Sequence, residues 1–223
     1  MDKRRRYGAA VPASTDALIA SLAAEIRPAA RVSSSGTLRD ALFGGALVTI
    51  LMFFACLGLR SDITTALLSG AFWMKIAYPS MLAALAWRAI DRLGAPDVAA
   101  ISFTPLLLPI AGLALVVAGT TWLGAPADGR FWLGTSWARC PLYVAALATP
   151  MTARLLWSFR DLAPTRLSVT GFLTGLASGA IGAAVYSLGC GETSPGFLLV
   201  WYSLGLLLPA VVGAMIAPWL LRW

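Results

Sequence analysis

The sequence predicts an all-α membrane protein, a bundle of six transmembrane helices preceded by a short amphipathic helix on the cytoplasmic side. Three observations predict it. Of the 223 residues, 59% are hydrophobic and 12% charged, against roughly 45–50% apolar and about 25% charged in a soluble domain. Apolar runs close to the ~20 residues that cross a hydrocarbon core recur after residue 40. Basic residues gather on alternate connections between those runs, as the positive-inside bias requires.

The organisation divides into a cytoplasmic arm, residues 1–38, and a six-helix transmembrane domain, residues 39–223. The arm opens with Lys3, Arg4, Arg5 and Arg6 but has no apolar run of secretory-signal type behind them, so a cleaved signal does not fit. Ser14, Thr15 and Asp16 offer N-cap oxygens. Leu18, Ile19, Leu22 and Ile26 then recur at helical spacing until Pro28. About three turns of helix are marginal alone in water, so the Leu/Ile face is expected to lie on the membrane or dock into a partner. Residues 32–37, rich in serine and glycine, read as a linker.

The six spans are expected near residues 41–59, 66–87, 99–123, 140–159, 167–188 and 197–221. Prolines inside the third, fourth and sixth (Pro105, Pro109, Pro150 and Pro209) are tolerated where neighbouring helices re-satisfy the freed carbonyls. With the amino terminus inside, the inner side holds Lys3, Arg4, Arg5, Arg6, Arg27, Arg31, Arg39, Arg88, Arg92, Arg154, Arg160, Arg166 and Arg222. The outer side holds only Arg60, Arg130 and Arg139. Both termini are therefore expected in the cytoplasm, and the formal charge of +7 reports orientation rather than contact with nucleic acid.

That layout puts all three cysteines on the outer half. Cys56, between Ala55 and Leu57, reads as a packing residue. Cys140 and Cys190 flank the fourth and fifth spans beside turn formers (Pro141, Gly189, Gly191). If those spans are antiparallel neighbours, the pair has the reach of a disulfide, ~4.4–6.8 Å between Cα atoms. A sensing role and a structural disulfide both remain open. Lys75 reads as a charge near the bilayer midplane, where an ammonium costs about 2.5–3.5 kcal/mol. No span offers it a carboxylate, which leaves tyrosines such as Tyr78 and Tyr186, or unwound carbonyls, as partners. Gly171, Gly175 and Gly179 at four-residue spacing form a small-residue face for close helix packing.

Without histidine, a histidine-built metal site is excluded. No Walker loop, HExxH, serine–histidine pairing or CxxC is present, so no catalytic residue, metal or cofactor is assigned.

Several stretches together carry a resemblance. They are Cys140 with Pro141; the run Cys190, Gly191, Glu192, Thr193, Ser194, Pro195, Gly196, Phe197; Trp201 with Tyr202; the terminal Leu221, Arg222, Trp223; Asp16, Leu18, Ile19 and Leu22; and Phe72, Trp73, Met74 and Lys75. Over nearly its whole length the chain resembles the NrsF family of six-span anti-sigma factors. The resemblance implies a multi-pass protein of the bacterial inner membrane that sequesters an extracytoplasmic-function sigma factor on its cytoplasmic side. It also implies an outer cysteine pair, Cys140 and Cys190, that senses metal or oxidative stress. Family members often carry histidine just before the second cysteine, where this chain has Gly189, which favours thiol chemistry over metal coordination. Two other functions are weighed against this one. A membrane thiol-disulfide oxidoreductase would want a closely spaced cysteine motif, and a small transporter would use Lys75 at the midplane.

Overall fold

The computed structural model describes residues 14–17, 19–20, 34–93, 102–124, 128–162, 164 and 166–222. The chain divides into two units, Met1–Ser33 and Ser34–Trp223. In the first, residues 15–17 and 19–20 are helical, and the Ala17 N–H donates to the Ser14 hydroxyl at 3.2 Å, which is the N-cap bond that Ser14 offers. Ile19 is 59% exposed. Leu18, Leu22 and Ile26 lie outside the described residues.

The second unit is helical throughout its described regular structure. Its long helices are α1 (Ser34–Cys56), α2 (Gly70–Leu93), α3 (Thr104–Trp122), α4 (Cys140–Phe159), α5 (Leu167–Tyr186) and α6 (Pro195–Leu220). Four helices are long and apolar enough to cross a membrane: Gly36–Cys56, α3, α5 and α6. In α2, Lys75, Arg88, Asp91 and Arg92 dilute the apolar run. Pro141, Pro150, Thr149, Thr152 and Arg154 do the same in α4.

The fold is organised around α5, of whose most apolar stretch 67% is buried, against 22% for α3. Glycine makes this possible. A Cβ at Gly175 would overlap the carbonyl oxygen of Pro209, and one at Gly171 the carbonyl oxygen of Gly213, both on α6. Gly179 faces Pro209 and Leu206. On its other side Gly182 lies against Val144 and Ala148 of α4. In lipid the hydrophobic effect does not drive helices together, so this close packing must carry the association. Outside this pair, α2 packs on α5, α1 packs on α4, and α3 touches α2 and the start of α6. Thr49 joins α1 to α4 by donating its hydroxyl proton to the Leu147 carbonyl at 3.0 Å in a buried setting.

Two expectations need correcting. Residues 34–37, read as linker, are the first turn of α1. The second span, expected from residue 66, starts later: a short helix Ile63–Ala66 precedes it, and α2 begins at Gly70. Ser69 makes that break. Its hydroxyl donates to the Ala66 carbonyl at 2.9 Å and accepts from the Phe72 N–H at 3.3 Å, capping α2. Lys75 is therefore five residues into its helix, near one end of the bundle rather than at its middle.

Candidate functional site

Three connections meet at the end of the bundle where α2 and α4 begin. The Arg60 N–H donates to the Leu188 carbonyl at 3.3 Å, joining the turn after α1 to the turn after α5. Between α3 and α4, the short helix Gly129–Leu133 is capped by Asp128, whose carboxylate accepts from the Phe131 N–H at 3.0 Å. This segment is pinned across the start of α6: Ser194 donates to the Phe131 carbonyl at 2.6 Å and the Trp201 indole to the Trp132 carbonyl at 2.8 Å. Glu192 completes the strap by accepting from the Thr135 N–H at 2.7 Å and from the Thr135 hydroxyl. Gly134, at φ 58°, supplies the left-handed turn beneath it, where a side chain would meet Glu192 and Phe197 as well as backbone strain.

Under that cover lie the two cysteines. Cys140 is fully buried and Cys190 is 5% exposed, although the sequence places both beside turn formers at the ends of spans; Glu192, two residues past Cys190, ties this turn to Thr135. All three cysteines are free thiols, with Cys56 exposed at the end of α1. Cys140 and Cys190 are close enough for their charges to act on one another.

Lys75 is fully buried beside them, and its ammonium donates to the Cys190 carbonyl at 2.6 Å. An unwound carbonyl is thus the partner, one of the options open to a lysine without a carboxylate. Tyr78 is engaged elsewhere, 2.6 Å from the Ser203 hydroxyl. A second cation reaches the same carbonyl: Arg60 donates to it at 3.4 Å while bound through two nitrogens to the Asp62 carboxylate. The Arg60 hydrogen bond holds the Asp62 carboxyl below the usual carboxylate range. A depressed carboxyl contributes above its unfolded-state value and loses that contribution as pH falls through its folded value. The Arg60 anchor is accordingly expected to loosen only in acid, below the ordinary carboxylate range.

Three tyrosines form a chain that reaches the site. Tyr143, Tyr186 and Tyr202 follow one another with ring centroids 6.0 and 6.1 Å apart. The Tyr202 hydroxyl is buried without a hydrogen-bond partner of standard geometry among the described residues, and Cys190 is its strongest electrostatic neighbour. Tyr202 closes a π-helical turn, Leu198–Tyr202, an extra-residue feature found often at functional sites.

The structure therefore brings Cys140, Cys190 and Lys75 together at one end of the bundle. It places Gly171, Gly175 and Gly179 along the α5–α6 seam and leaves Cys56 apart. Arg60, Tyr202 and Glu192 join the site without having been assigned to it, and Tyr186, named as a possible partner of Lys75, lies beside them. Glu192 and Tyr202 sit within the motif stretches, so proximity to Cys190 was the available signal for them. Among the described residues no group of three or more Cys, Asp and Glu is placed to hold a metal ion. Gly189 has no room for a larger residue, since a Cβ there would lie 2.9 Å from the Gly58 carbonyl oxygen and 3.0 Å from the Phe53 ring.

Glu192→Ala tests the cover. Removing the carboxylate that holds residues 135 and 192 together is expected to raise the alkylation rate of Cys190 by a maleimide several-fold. An unchanged rate would show that the strap does not shield the thiol.

Among the described residues, an all-helical bundle with four membrane-length apolar helices and a buried thiol–lysine–tyrosine cluster at one end marks a membrane protein. Comparison with known proteins places it more narrowly. Residues 22–223 match the family described as "NrsF: Negative regulator of sigma F", and the chain belongs to that family. It is 37% identical over 212 residues to the "Probable anti-sigma-F factor NrsF" of Azospira oryzae, covering 94% of this chain and 99% of the relative. It is 33% identical over 217 residues to the "Anti-sigma-F factor NrsF" of Caulobacter vibrioides, again covering 94% and 99%. No solved structure matches.

Proposed function

We propose that this chain is a membrane anti-sigma factor that holds an extracytoplasmic-function sigma factor at the cytoplasmic face of a bacterial inner membrane. In this reading the sigma factor is released when the cluster around Cys140 and Cys190 changes state. The observation that carries it is similarity along nearly the whole chain to two anti-sigma-F factors, which points to a regulator rather than an enzyme.

The remaining features fit this reading. Six crossings with both termini inside would put the turns around residues 60, 135 and 190 on the outer side, where hydrogen bonds already join them. Arg88, Arg92, Arg154, Arg160 and Arg166 would then lie at the inner ends of their helices. The capped amphipathic segment with Leu18, Ile19, Leu22 and Ile26 is the docking element for the sigma factor. A signal shifts such an equilibrium only by its differential free energy between the two states, and a tenfold loss of sigma affinity needs about 1.4 kcal/mol. Oxidation or modification of Cys190 acts directly on a segment clamped by Lys75 and Arg60, and so has a route to that energy.

The test is a reporter transcribed from the promoter of the co-expressed sigma factor. The full chain is expected to silence it, and deletion of residues 1–33, which ends before α1, to restore output. Cys140→Ser with Cys190→Ser is expected to keep repression and abolish induction by thiol oxidants. Repression by the truncated chain would refute the docking segment, and normal induction in the double serine variant would refute the thiol sensor.

A further inference from the structure

A second site lies at the opposite end of α2. Arg88 and Arg92 are four residues apart, one above the other on one helix face about 6 Å along the axis. They line a cavity of ≈ 250 Å³ whose other walls include Leu85, Ser102, Pro105 and Leu106. Both side chains are exposed, and neither has a carboxylate partner; the one ion pair among the described residues is Arg60 with Asp62. Asp91, though adjacent in sequence, does not line the cavity. One more feature favours an anion there. The Ser102 hydroxyl accepts from the Thr104 N–H at 3.4 Å and keeps its own proton to donate.

The cavity does not stand alone. Leu106 is also a wall of a second cavity, ≈ 200 Å³, which extends along α2 past Leu82 to Tyr78 and is closed by Phe103, Ile110 and Leu207. Its only polar side chains, Tyr78 and Ser203, are hydrogen-bonded to each other, so it has little to offer a polar ligand. From Leu82 to Arg88 the helix rises about 9 Å. A basic pocket and an apolar groove therefore adjoin in the order of a phospholipid's headgroup and acyl chain. Leu107 and Leu108, exposed on α3 beside them, mark the face that meets lipid.

We propose that this cleft between α2 and α3 binds an anionic phospholipid, with its phosphate on Arg88, Arg92 and Ser102 and one acyl chain in the groove toward Tyr78. Basic pockets between membrane helices are suited to such headgroups. A free phosphate would leave the groove unused, and a zwitterionic lipid would set its own cation against the two arginines. Lipid held here would brace α3, the least buried of the apolar helices, against α2.

Native mass spectrometry of the full-length protein in neutral detergent tests this. Dioleoylphosphatidylglycerol is expected to be retained at least tenfold better than dioleoylphosphatidylcholine, and neither glycerol phosphate nor inorganic phosphate should displace it. Arg88→Gln with Arg92→Gln should abolish the preference, while Arg154→Gln should keep it. Equal retention of the two lipids by the unaltered chain would overturn the proposal, as would a preference that survives the double substitution. Displacement by inorganic phosphate would show a phosphate site without a lipid and would overturn it equally.

Discussion

Replacing Gly175 with leucine is expected to deprive the chain of its folded bundle, seen as loss of monodisperse protein after detergent extraction and as full derepression in the reporter assay. The reason lies in what the new side chain would meet. A Cβ at Gly175 overlaps the Pro209 carbonyl oxygen and crowds the backbone of Ala210, so no rotamer change relieves it and α6 itself must move. Overpacking costs typically about 1–3 kcal/mol where side chains can adjust, and a backbone clash in the central helix pair should exceed that range. Set against a total stability of about 5–15 kcal/mol, the loss is severe. Gly191→Ala is the matched control: a Cβ there meets nothing within 4 Å, and folding should be unaffected. A Gly175→Leu protein that extracts and represses normally would mean that the α5–α6 seam is not close-packed as described.

The second large effect separates stability from signalling. Lys75→Met removes a charged hydrogen bond, worth about 1.5–3 kcal/mol, but also relieves the desolvation cost of a buried ammonium, which is of the same order. These nearly cancel, and methionine fills most of the space of the lysine stem. The variant is therefore expected to melt within a few degrees of the parent chain. What it loses is the clamp on the Cys190 carbonyl, so Cys190 alkylation should change in rate and pH profile, and induction should fail or become constitutive. Lys75→Ala, which also leaves a cavity, should be destabilised by about 2–5 kcal/mol. Unchanged thiol reactivity and normal induction in Lys75→Met would reduce the lysine to a packing residue.

How much of this was legible in the sequence can be judged from particular residues. The fourth helix was read with its observed bounds, Cys140–Phe159, because Pro141 at its first turn and the polar stretch past residue 159 punctuate both ends. The glycine spacing on α5 pointed to a close-packed face because small residues every fourth position line one side of a helix. Lys75 was misplaced for a local reason: the apolar run 66–68 continues to the eye into α2, although Ser69 and Gly70 carry the signal for a fresh start. Other features are tertiary and leave no local mark. The strap over the Cys190 turn joins Glu192 to Thr135, 57 residues away in sequence, and the π-helical turn that ends at Tyr202 packs against α4 and α3. The basic pocket shared by Arg88, Arg92 and Ser102 likewise needs α2 and α3 side by side. In the sequence those arginines report orientation only.

Everything proposed for this chain rests on its binding a sigma factor through the amino-terminal amphipathic segment. The most direct measurement is co-purification of the co-expressed extracytoplasmic-function sigma factor with the detergent-solubilised full-length chain, alongside a Leu18→Asp, Leu22→Asp variant. The parent chain is expected to retain the sigma factor, and the double aspartate variant, equally well folded, to lose it. A parent chain that comes through purification without the sigma factor, or a variant that keeps it, would contradict the claim.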